Sequence, residues 1–108
     1  GIKYPEQLQQ RINKQPLSPL YLADKTTLIN IMEMVSGLFL SKNIVYQNGK
    51  PAYLVDLAKA FEWLFNIKIG DCYQKHEDVI KRKPGKLTGF LNGLVELIKK
   101  EHDKKGYR

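Results

Sequence analysis

Cys72 and His76 stand four residues apart, one helical turn, a spacing that could set a thiol beside a general base. Cys72 is the single cysteine of the chain, so neither an internal disulfide nor a cysteine-based zinc site can form within it. At the start of a helix, beside Tyr73, a free cysteine more ordinarily packs as a small buried hydrophobe, and nothing else in the sequence completes a nucleophilic site. The second histidine, His102, has no metal-type spacing to His76. Glu77 and Asp78 are adjacent, so on a helix their carboxylates diverge and do not form an acid–base pair. Lys83-Pro84-Gly85-Lys86 bears a superficial likeness to a phosphate loop but lacks its glycine–lysine pattern. The chain therefore reads as a non-enzyme, without metal or cofactor.

The cations offer a different chemistry. The 108 residues carry a formal net charge of +7. From Cys72 onward there are ten Lys or Arg against five Asp or Glu, whereas the first seventy-one residues carry eight against six. A positive half next to a near-neutral one suits a polyanionic partner, duplex DNA first, with simple solubility as the plainer account. Lys81-Arg82-Lys83, with Lys86 just beyond, gathers four cations at one helix end. If Tyr73, His76, Val79 and Ile80 line the inner face of that helix, Gln74, Lys75, Asp78, Lys81 and Arg82 face outward. Lys75, Lys81, Arg82, Lys83 and Lys86 could then hold phosphates, while Gln74 could read a base edge. The ordinary alternative is an Asp78–Arg82 surface pair with solvated lysines that favour a helix C-terminus.

These side chains need elements to hold them. Pro5, Leu8 and Ile12 suggest a short helix over Tyr4–Asn13, and Pro16 and Pro19 bracket an extended connector. A longer helix follows Asp24, its expected cap. Leu28, Ile31, Met32, Val35, Leu38 and Phe39 form a broad apolar face there, with Ile29 on its flank. Asn48-Gly49 is a turn signal, closing a tiny hairpin or linking two helices. A third helix spans about Ala52 to Phe65, with Leu54, Leu57, Ala58, Phe61, Leu64 and Phe65 inward and Trp63 at the edge. Asn66 ends it. A connector containing Gly70 leads to a fourth helix, capped by Asp71 and running to about Lys83, where Pro84-Gly85 stops it. Thr88 is expected to cap a last helix that turns Leu91, Leu94, Val95 and Ile98 inward and frays beyond Lys99. The expectation is an all-α domain, a bundle of about five helices. The short link between the third and fourth is compatible with a helix-turn-helix.

The order and spacing of several pieces resemble the RteC family, regulatory proteins of Bacteroides conjugative transposons. The pieces are Asn48-Gly49, Ala60-Phe61, Phe65-Asn66, Ile67 with Ile69-Gly70-Asp71, Tyr73, Arg82-Lys83, and Thr88 with Phe90-Leu91. The resemblance covers roughly Lys25 to Ile98. It departs at Pro84-Gly85, where relatives carry an Arg-Lys-rich link and this chain is one residue longer. It implies a winged-helix-like DNA-binding domain of a transcriptional regulator that activates excision or transfer of a mobile element, with the Asn48-Gly49 hairpin as the wing. Family members are more than twice as long, which implies that this chain corresponds to their C-terminal domain.

Residues 1–24 thus read as a helix and connector, and 25–108 as the RteC-like DNA-binding unit. Gly1 in place of Met fits a processed start, one domain of a longer regulator whose other part would be a partner. The Leu28–Leu40 stretch, interrupted by Glu33, falls short of the roughly 20 apolar residues of a membrane span, and GIKYPEQLQQ lacks the features of a signal peptide. The expected location is cytoplasmic, with no membrane partner. The rival reading is a protein-interaction module that docks another domain or a second copy through Trp63, Tyr46 and Tyr53.

Overall fold

The residue pattern of 28–41 dictates a helix enclosed on several sides. Ile31, Met32 and Val35 form one buried edge of it, and Glu33 and Ser36 are buried as well. In the computed structural model, which describes residues 17–107, this is α1 (Leu28–Ser41), the central element. It is followed by α2 (Leu54–Phe65), α3 (Cys72–Ile80), α4 (Pro84–Leu87) and α5 (Gly89–Lys104). α1 packs against α2, α3 and α5, and α2 and α3 pack on each other. The core joins Ile31, Met32 and Val35 to Leu54, Leu57 and Ala58 of α2, Ile69 of the connector, and Cys72 and Val79 of α3. The fold is all-helical, as expected. The helix expected over Tyr4–Asn13 lies outside the described residues.

Local chemistry sets the ends of these helices. α1 starts after Thr27 rather than Asp24. The Thr27 hydroxyl accepts from the Asn30 N–H while the Asn30 side chain accepts from the Thr27 N–H, a reciprocal box that outcompetes a lone carboxylate three residues upstream. α2 begins at Leu54, and its N-cap, Tyr53, makes no side-chain cap of its own. The Tyr46 hydroxyl instead ties down the entry to the helix, accepting from the Tyr53 N–H at 3.0 Å and donating to Asp56 in the first turn. That bond to Asp56 raises the Tyr46 phenol above its ordinary range. Asn66 ends α2 in the left-handed region at φ 54°, as its residue type allows, and its Nδ2 donates to the Ser18 and Leu20 carbonyls.

Asp71 caps α3 as expected, its Oδ1 accepting from the Tyr73 and Gln74 N–H groups at 3.1 Å. A nine-residue helix gains little from propagation, so this cap weighs heavily. Asp71→Ala is expected to lower the unfolding free energy by about 1 kcal/mol in urea titration, with Asp71→Asn retaining most of it.

Several expectations are corrected. The Asn48-Gly49 turn closes, with Gly49 at φ 87°, but Val45 and Pro51 form a single antiparallel bridge and no strand occurs among the described residues. Pro51 has no N–H to extend the ladder. α3 ends at Ile80 rather than near Lys83, and Pro84 opens α4 from its first turn instead of stopping a helix. With this extra short helix, five helices occur among the described residues. α3 is also rotated from the expected face: Cys72 and Val79 are buried and His76 half-buried, while Tyr73 is 60% and Ile80 44% exposed. Cys72/Val79 and Tyr73/Ile80 are both apolar pairs seven residues apart, so periodicity alone does not choose between them. α5 continues to Lys104, well past Lys99, and Val95 and Ile98, expected inside, are exposed. The Thr88 hydroxyl makes no cap bond to the backbone of α5.

Candidate nucleic-acid interface

The expected contact residues lie on α3 and on the segment that leads from it into α4. Gln74, Lys81, Lys83 and Lys86 are exposed and Lys75 is half-buried. Gln74 and Lys81 converge on one carboxylate: the Gln74 side-chain amide donates to Asp78 Oδ1 at 3.0 Å, and Lys81 Nζ lies 3.3 Å from the same oxygen. The Gln74 hydrogen bond, with Lys81 beside it, holds the Asp78 carboxyl below its usual range. Asp78 therefore pairs with Lys81, not with Arg82.

Arg82 turns inward. Its side chain is 23% exposed, and Nη1 donates to Glu33 Oε1 on α1 at 3.1 Å and to the Lys86 carbonyl at 3.3 Å. Glu33, whose side chain is only 1% exposed, accepts a second bond on Oε2 from the Leu91 N–H at 2.7 Å. Leu91 is the third residue of α5, so Glu33 supplies from another helix the N-terminal cap that Thr88 does not. One carboxylate thus ties α1 to the 81–86 segment and to the start of α5. The segment is fixed further by the Lys86 and Leu87 N–H groups, which donate to the Lys83 carbonyl. Lys81, Lys83 and Lys86 project from a backbone anchored on both sides.

Sequence reasoning missed both Glu33 and Tyr73. A glutamate inside an apolar run is itself a signal, since a buried carboxylate requires a cation or N–H donors. Tyr73, expected in the core, instead stands next to Gln74 on the outer face of α3.

Cys72 and His76 are structurally employed, whereas His102 is exposed beside Asp103. Burial pushes the Cys72 thiol up, the opposite of what a nucleophile needs. His76 Nδ1 is 2.8 Å from Ser36 Oγ, and its ring meets Phe39 edge-on, joining α3 to α1. Among the described residues no three His, Cys, Asp or Glu side chains gather as a metal site, and no helix is long and apolar enough to cross a membrane. Tyr53 and Trp63 are exposed on the α2 side, while Tyr46 is half-buried against Tyr53.

The chain is 33% identical over 93 residues to an Exportin-T of Chaetomium globosum, a stretch that is 81% of this chain and 9% of that protein. So small a share of the relative carries no function across. No solved structure matches the chain. The family model described as RteC protein matches residues 4–105, nearly the whole sequence and the region that holds every residue of the site. The chain belongs to the RteC family, regulatory proteins of conjugative elements.

Proposed function

We propose that this chain is a DNA-binding domain of a transcriptional regulator acting on a mobile genetic element. The observation that carries the reading is the set of exposed lysines, Lys81, Lys83 and Lys86, on a segment braced by the Arg82–Glu33 pair in a chain of net charge +7. Preorganised cations grip phosphates without first ordering a loop. Lys75 adds a fifth positive group with Arg82, and Gln74 and Tyr73 on the outer face of α3 meet the base edges. α2 and α3, joined through residues 66–71, then form a helix-turn-helix with α3 entering the major groove. Arg82 acts chiefly as a positioning residue, because two of its contacts are already made within the protein.

Fluorescence anisotropy with random-sequence duplex across a salt series tests this. The expected result is micromolar binding at low salt that weakens linearly in log–log form, by about one power of salt concentration per phosphate contact. Absence of binding at the lowest salt would sink the reading. A protein-docking module is then the alternative, favoured by exposed Tyr53 and Trp63.

A further inference from the structure

Among the described residues, the apolar face of α5 has little cover beyond Leu94. None of its residues is buried, and every residue from Val95 to Lys104 is exposed. Yet Leu91, Leu94, Val95 and Ile98 repeat at the spacing of one helical face. Val95 is 46%, Leu97 64% and Ile98 71% exposed. A helix half of this length whose residues are all exposed is marginal in water, so a packed partner is what the pattern calls for.

The stripe begins in a concavity. At Leu91 it enters an apolar groove of about 220 Å³ whose walls include Ser36, Gly37, Leu40, Ile80 and Leu87. Leu40 and Ile80 at its rim are 58% and 44% exposed. Stripe and groove thus form one surface with a ridge at one end and a hollow at the other. The stretch Gly89–Ile98 contains one charge, Glu96, and helical spacing turns it about 140° from Leu91, away from the stripe. A charge-free centre with Lys99, Lys100 and Glu101 beyond its end has the anatomy of an interface.

We propose that this face pairs with a second copy of the chain, α5 against α5 in antiparallel order about a two-fold axis near Leu94 and Val95. In that order Ile98 of each copy lies over Leu91 and the mouth of the groove of the other, so ridge meets hollow twice, as self-complementary pairing requires. The area agrees. The exposed fractions of Leu40, Ile80, Val95 and Ile98 amount to on the order of 400 Å² of apolar side chain per copy. That matches the apolar share of the roughly 800 Å² that one partner contributes to a stable interface. This proposal uses a different set of residues from the DNA reading and stands without it.

Sedimentation velocity of the full chain over a wide concentration range tests it. The expected result is a monomer–dimer equilibrium that Val95→Glu with Ile98→Glu weakens by more than about a hundredfold, because unpaired carboxylates would be desolvated at its centre. Both side chains are exposed in the single chain, so far-UV circular dichroism should show the fold retained. Trp63→Glu, on α2, should leave the dimer unchanged. A mass of one chain at every concentration overturns the proposal, whether residues 1–16 or solvent then cover the face. So does a dimer that ignores the α5 substitutions or yields to Trp63→Glu.

Discussion

Arg82→Ala is expected to lower the unfolding free energy by about 3 kcal/mol, the low end of the range for breaking a buried ion pair. The cost comes less from the contact removed than from what is left: Glu33, with a side chain 1% exposed, keeps only the Leu91 N–H as partner. The low end applies because Arg82 is partly open to solvent and water can enter in its place. For a domain of this size the melting temperature should fall by more than about 10 °C. Arg82→Met with Glu33→Gln should recover most of the loss. The glutamine oxygen can still accept from Leu91, and the methionine replaces the arginine stem without leaving a charge unpaired. A double-mutant cycle measures this as a coupling of about 2 kcal/mol. A loss below about 1 kcal/mol for Arg82→Ala would mean that water replaces the guanidinium at little cost and that the 81–86 segment is held by other contacts. Arg82 would then rejoin the lysines as a phosphate ligand. An alanine variant combining Lys81, Arg82 and Lys83 would mix lost stability with lost affinity.

How legible this arrangement was depends on whether each signal is local. The inner faces of α1 and α2 follow from repeated apolar spacing, and Asp71 and Asn66 mark helix ends by residue type alone. The face of α3 could not be read, because Tyr73/Ile80 competes with Cys72/Val79 at the same period and tertiary packing decides. α5 misled in a related way: an apolar stripe states that a face seeks cover, not whether the cover lies within the same chain. Glu33 was visible only as an interruption of an apolar run. Its partners are Arg82, 49 residues away, and the Leu91 amide, 58 residues away, separations that no local pattern encodes. The cationic cluster itself was legible. That one of its members faces inward became apparent only with the fold.

Replacing Lys81, Lys83 and Lys86 together by Ala should leave stability almost unchanged and weaken duplex binding by on the order of a hundredfold near physiological salt, flattening the log–log salt slope by about three. All three are exposed, and the ion pair of Lys81 with Asp78 is a surface contact of small worth. Stability and affinity therefore separate: Arg82→Ala strikes the brace, and the triple substitution strikes the grip. Asp78→Asn should act in the opposite direction, releasing Lys81 from its ion pair and removing an anion from the face while the amide oxygen still accepts from Gln74, so that binding tightens several-fold at low salt and less at high salt. If the lysine variant binds like the parent and Asp78→Asn has no effect, the phosphates are held elsewhere. The cations of α5, Lys99, Lys100 and Lys104, would then be the place to look, on the helix whose exposed stripe is proposed to pair with a second copy.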